Sequence, residues 1–159
     1  MRKAWRFDSA ATSLSLFSIG HSNRSIDEFV ALLQGHGIKE LVDVRTAAGS
    51  RKNPQFMKEV LARVLEMQGI RYTHLSALGG FRKPHPDSIN AAWRNESFRG
   101  YADYMQTPEF ETALVQLLDL AARERTAVMC AEAVPWRCHR SLTSFARIEN
   151  GRVTYPAKQ

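Results

Sequence analysis

Four apolar runs in this chain end in side chains that hold charge or carry protons, and those ends are where chemistry would gather. The run Leu14 to Ile19 gives way to Gly20, His21, Ser22 and Asn23. Leu41-Val42-Asp43-Val44 is followed by Arg45, Ile70 to Leu75 contains His74, and Thr126 to Cys130 is followed by Ala131 and Glu132. Imidazoles and carboxylates suit general acid–base work, thiols nucleophilic attack, and guanidinium groups the binding of anionic oxygens. Taken singly, each group has a plainer use: Asp43 as a loop cap, His74 as a half-buried histidine, Cys130 as a small core residue. Taken together they read as one site.

The densest stretch is Cys130 to Arg140, which ends in Cys138, His139 and Arg140. A helix beginning near Cys138 would bring its free N–H groups and positive dipole end to that thiol, a setting that favours a thiolate or a bound phosphate. The cysteine-to-arginine spacing of a phosphatase loop is absent, because Arg137 lies one position too far from Cys130. Zinc is set aside as well. Cys130, Cys138, His139 and His21 number enough ligands, but neighbours on a helix point apart and no thiolate pair has the usual spacing. We therefore expect neither a metal nor another cofactor.

Two loops read as oxyanion-binding segments. One holds Arg45, Ser50, Arg51, Lys52 and Asn53 ahead of Pro54; the other is Gly79-Gly80-Phe81-Arg82-Lys83, where glycine backbone allows close approach beside two cations. Trp93, Phe98, Tyr101 and Tyr104 would either stack on a base or pack in a core.

The elements that position these groups follow from local pattern. Ser25 and Glu28 have capping-box spacing ahead of a helix that runs to Gly35. Pro54 suits the first turn of a second helix ending at Gly69, and Pro108 opens another through Leu120 and Ala121. Phe98 to Met105 reads as a short helix, Cys138 to Ile148 as a last one, and Ser76 to Asn95 as a long functional loop. Strands are expected at 14–19, 41–44, 70–75, 126–130 and, after Gly151, at 153–155. Strands alternating with helices call for right-handed crossovers, hence a three-layer α/β/α sandwich with a mainly parallel sheet of about five strands. A closed barrel would need more strand–helix units. In such sheets ligands bind beyond the carboxyl ends of the strands, where the polar groups are.

With 159 residues, 44% of them hydrophobic, the chain suffices for one core: a loose arm over 1–12 and a single domain over 13–159. Two cysteines are too few for a secreted disulfide scaffold, and no apolar run is long enough to span a membrane, so we expect a cytoplasmic protein with no membrane partner. The net charge of +6 suits an anionic partner, a small molecule or nucleic acid. It equally suits a solvated, arginine-rich surface. Oligomeric state is not encoded in any pattern here.

Several short segments occur together and in order: Ile19-Gly20-His21-Ser22, Leu41 to Arg45, Ser50-Arg51, Tyr72 to Leu75 with Leu78-Gly79-Gly80, Phe98 to Met105, and Cys130-Ala131-Glu132 followed by Cys138-His139-Arg140. In these the sequence resembles the uncharacterised prokaryotic domain-of-unknown-function family four-eight-eight, from about residue 15 to 155. The resemblance implies an α/β domain with those motifs as its signature and brings no substrate with it. Ala48 and Ser76 stand where that family's pattern has proline, and Tyr155 where it commonly has histidine.

The functional expectation is an enzyme acting on a phosphate-bearing substrate such as a nucleotide or nucleic acid. His21, Asp43, Glu132, Cys138 and His139 are its candidate catalytic groups; Ser22, Arg45, Ser50, Arg51, Gly79, Gly80, Arg82 and Arg140 would bind substrate. The alternative is a nucleic-acid-binding module that uses the same cations without chemistry.

Overall fold

The computed structural model describes residues 16–49, 51–132, 147–149 and 152–154. The elements in order are β1 (Leu16–Gly20), α1 (Ile26–Gly35), β2 (Glu40–Asp43), α2 (Lys58–Met67), β3 (Arg71–His74), α3 (Glu96–Tyr104), α4 (Pro108–Arg123), β4 (Thr126–Cys130), β5 (Arg147–Glu149) and β6 (Arg152–Thr154). Single 3₁₀ turns lie at Pro54–Phe56 and Ser76–Leu78.

β1 to β4 form one parallel sheet in the order β1-β4-β2-β3. Side chains alternate across it with the period of two that a strand imposes. Leu41, Ala127 and Met129 face a core built with Phe29, Leu33, Leu61 and Leu65 of α1 and α2. Val42, Val128 and Cys130 face the opposite core, with Tyr101, Phe110, Leu114 and Leu117 of α3 and α4. The result is an α/β/α sandwich, with the central strands β2 and β4 buried along their length.

Local signals explain the helix starts. The Ser25 hydroxyl accepts from the Glu28 amide while the Glu28 carboxylate accepts from the Ser25 amide, both at 3.2 Å, a reciprocal cap worth about 1 kcal/mol. Asn95 caps α3 and Thr107 caps α4, with Pro108 as its first residue.

Three expectations need correction. The main sheet has four strands rather than five, because β6 pairs antiparallel with β5 as a separate two-stranded sheet. The two strands are separated in sequence by Asn150-Gly151, the dipeptide that most favours a two-residue hairpin. It follows that Arg147 to Glu149 is strand, so the last helix cannot run to Ile148. Third, Pro54 opens only a 3₁₀ turn: Met57 is extended, the Lys58 amide donates to the Ala48 carbonyl at 2.9 Å, and α2 starts afresh at Lys58.

Candidate active site

Topology assembles the site. β4, the last strand of the sheet to appear in the chain, inserts between β1 and β2, so the carboxyl ends of these three strands lie side by side. Backbone hydrogen bonds carry the pairing past the strand ends: the His21 amide donates to the Cys130 carbonyl, Ser22 to Ala131 and Val44 to Met129, each at 3.0 Å. Above them opens a cleft of about 1000 Å³, lined among others by His21, Ser22, Arg45, Arg51, Lys52 and Glu132. That is where ligands bind in open parallel sheets.

The floor is a buried polar chain. Asp43 is wholly inaccessible and Arg45 is 5% exposed. Arg45 donates through Nε to Asp43 Oδ1 at 2.9 Å and through Nη2 to Oδ2 at 2.7 Å, the bidentate fork that only arginine offers a carboxylate. The Arg45 amide also donates to Oδ1 and the Tyr72 hydroxyl to Oδ2, so Asp43 accepts four hydrogen bonds. Burial, the hydrogen bond to Asp43 and its charge push the Tyr72 hydroxyl up, against the opposing pull of Arg45, and keep it a donor. Burial acts to lower the Arg45 pKa, but the hydrogen bond and charge of Asp43 outweigh it, and the guanidinium is held above its ordinary value.

The remaining arm of Arg45, Nη1, faces His21 Nε2 at 3.5 Å. His21 Nδ1 lies 2.7 Å from the Ser22 carbonyl, which only an N–H can satisfy, so Nδ1 carries the proton and Nε2 the lone pair. The imidazole stacks on Phe56 with ring centroids 4.4 Å apart. His74 Nε2 donates to the Arg45 carbonyl at 2.7 Å, fixing the backbone of the same residue from the other side. The arrangement presents an oriented imidazole next to a fixed cation, with Arg51 and Lys52 exposed at the cleft and Glu132 also lining it.

Of the residues singled out from sequence, His21, Ser22, Arg45, Arg51, Gly80 and Glu132 line this one cleft. Asp43 lies behind Arg45 and is sealed from solvent. Gly79 turns toward the protein: a Cβ there would collide with Thr46, whose hydroxyl donates to the Gly80 carbonyl at 2.9 Å. The Arg82 guanidinium lies 3.7 Å from the centre of the Tyr104 ring, and the residue is not part of the cleft wall. Ser50, Cys138, His139 and Arg140 lie outside the described residues. Among the described residues no group of three or more His, Cys, Asp or Glu side chains is placed to hold a metal ion.

The aromatic residues take the packing alternative of their sequence reading, although Phe98 and Tyr101 also reach the cleft wall. Tyr101 is buried, Trp93 stacks on Phe98 at 5.9 Å, and Tyr104 carries Arg82. Phe81 was not among them, yet it lines the cleft and is 94% exposed. Its position next to Gly79-Gly80 is the one sequence signal that could have marked it.

A family model described as "Domain of unknown function DUF488" matches residues 25–145, well over half of the chain. No curated protein and no solved structure matches.

Proposed function

The chain belongs to the DUF488 family of domains of unknown function, so its activity has to be argued from its own side chains, and we propose that it is an enzyme acting on a phosphate-bearing substrate such as a nucleotide or nucleic acid. One observation carries the reading: a buried arginine, locked by Asp43, turns its remaining nitrogen toward a tautomer-fixed histidine at the floor of the cleft. A surface that only bound anions would gain nothing from an imidazole held in this way.

In this reading Arg45, Arg51 and Lys52 hold anionic oxygens, and Ser22 with the Gly80 backbone supplies further polar contacts. His21 and Glu132 form an acid–base pair, His21 exchanging its proton at Nε2 once the anionic substrate draws Arg45 Nη1 off that nitrogen. Asp43 positions Arg45 and does not touch substrate. Cys138 and His139 stay candidates from sequence, and Arg140 a further anion ligand, together with Ser50 in the first loop. No helix among the described residues is long and apolar enough to cross a membrane. The proposed substrate class, rather than that absence, suits a cytoplasmic location, where phosphorylated metabolites are at hand.

The test is to denature natively purified protein and identify the released ligand by mass spectrometry. A phosphate-bearing compound is expected; a neutral or cationic one would overturn the reading. With that compound in hand, His21→Gln and Glu132→Gln should each lower its conversion by about 100-fold or more while leaving binding nearly intact. Full binding with no conversion by the unaltered protein would leave only a non-catalytic binding module.

A further inference from the structure

Phe81 is held in place by everything around it except its own side chain. Of the exposed large hydrophobic residues among those described it is the most exposed and the only aromatic one. It also has a φ of +60°, a left-handed backbone that a bulky side chain adopts only under constraint, at a cost of about 1 kcal/mol or more.

The constraint is visible on both sides. Before it, Gly79 packs so tightly on Thr46 that no side chain would fit, and Thr46 donates to the Gly80 carbonyl. After it, the Arg82 carbonyl lies against Gly100 of α3, where a Cβ would collide with it. Arg82 itself is fixed by the Tyr104 ring, 3.7 Å away, and by an Nε hydrogen bond to the Gly79 carbonyl at 3.4 Å. Two glycines, a threonine and a cation–π contact thus clamp the residues flanking an apolar ring that buries almost nothing of itself. Folding gains little from this; an exposed aromatic ring offers a π-face instead.

The ring lines the same cleft as Arg45, Arg51 and Lys52. We propose that Phe81 is a stacking platform and that the ligand of this cleft is a mononucleotide, its base on Phe81 and its phosphate toward the cations. The inference rests on the phosphate reading given above and names the substrate class. A volume of about 1000 Å³ accommodates a base, a sugar and a phosphate together. Because every base has a π-face, stacking alone discriminates weakly among the four.

Calorimetric titration of the full chain with the four nucleoside 5′-monophosphates and with ribose 5-phosphate separates the two readings. The nucleotides should bind about 5- to 100-fold more tightly than ribose 5-phosphate. Phe81→Ala should abolish that advantage and leave ribose 5-phosphate binding unchanged, and Phe81→Trp should keep it. Since the ring is exposed, both variants should fold; Phe81→Gly, freed from the left-handed strain, should unfold at the same or a higher temperature. Ribose 5-phosphate bound as tightly as the nucleotides, or an advantage that survives Phe81→Ala, overturns the stacking proposal and leaves the phosphate reading standing. Nucleosides bound as tightly as their monophosphates, with ribose 5-phosphate not bound, overturn the phosphate reading instead. A single-stranded hexanucleotide binding more than tenfold tighter than any mononucleotide overturns the mononucleotide assignment in favour of a nucleic acid strand.

Discussion

Strand β2 carries a buried carboxylate at each end, and the two are satisfied in different ways. Glu40, at the amino end, accepts from Arg71 Nε at 3.0 Å and the Thr73 hydroxyl at 2.6 Å. Its arginine is 58% exposed and shares itself with Glu124 at 3.0 Å. Asp43, at the carboxyl end and on the opposite face, holds an arginine that is itself buried and that turns toward His21 and the cleft. A surface arginine can return to water when its partner is lost, and such a pair contributes little. A sunken one cannot, and loss of its partner leaves a buried charge uncompensated. The difference sets a pair that ties β2 to β3 apart from one that faces the candidate site.

Breaking the Asp43 pair should therefore have the largest effect. Asp43→Asn should cost about 3–5 kcal/mol in denaturant unfolding, since it leaves a buried guanidinium uncompensated, and should abolish binding of phosphate-bearing ligands. Replacing both members by apolar residues, Asp43→Leu with Arg45→Met, should recover much of the stability and none of the binding. Recovery of both would make the pair purely structural. Next comes Tyr72→Phe, which deletes one hydrogen bond to the buried carboxylate: about 1.5–3 kcal/mol of stability, with binding weakened only as far as Arg45 shifts. Glu40→Gln should be milder, about 1 kcal/mol, because the Thr73 hydroxyl keeps an acceptor and Arg71 is already at the surface. Ligand binding should not change. A Glu40 variant that lost binding would erase the distinction between the two ends.

The smallest effect is expected at Asp103 of α3, which anchors the loop beyond Phe81. Burial pushes its carboxyl up, but hydrogen bonds from the Ser88 hydroxyl, the Asn90 amide and the His85 backbone N–H outweigh it and hold it below the ordinary value. A carboxyl lowered on folding adds stability that is complete above its unfolded value, about 4, and is lost as pH falls through the folded one. Unfolding temperature should accordingly drop as pH goes below about 4, and Asp103→Asn should flatten part of that drop. An unchanged acid slope in the variant would show that the loop anchor does not depend on the charge.

The sequence made local features legible and left long-range ones hidden. Ser25 with Glu28, and the β4 span from Thr126 to Cys130, follow from residues within a few positions of one another. Asp43 and Arg45 were found as neighbours, and their spacing of two puts both side chains on one face of an extended chain, a sign that they could pair. Tyr72 joined them only through the β2–β3 register, which pairs it with Leu41 and which no local pattern fixes. That His21 and Glu132 share a cleft depends on β4 entering between β1 and β2, a matter of strand order. Phe81 stands in the sequence only as one residue of the loop over 79–83, because its significance lies in exposure and backbone strain, neither of which its residue type announces.

The central claim, that the Asp43–Arg45 pair serves the cleft while the Glu40–Arg71 pair serves the fold, is tested most directly by nuclear magnetic resonance. The side-chain Nε–H signals of Arg45 and Arg71 would be followed while ribose 5-phosphate is added, with the His21 ring nitrogens observed in the same titration. Saturable shifts of the Arg45 and His21 signals, with Arg71 unmoved, are the predicted result. Arg45 and His21 unmoved at saturating ligand, or Arg71 shifting as much as Arg45, would contradict it.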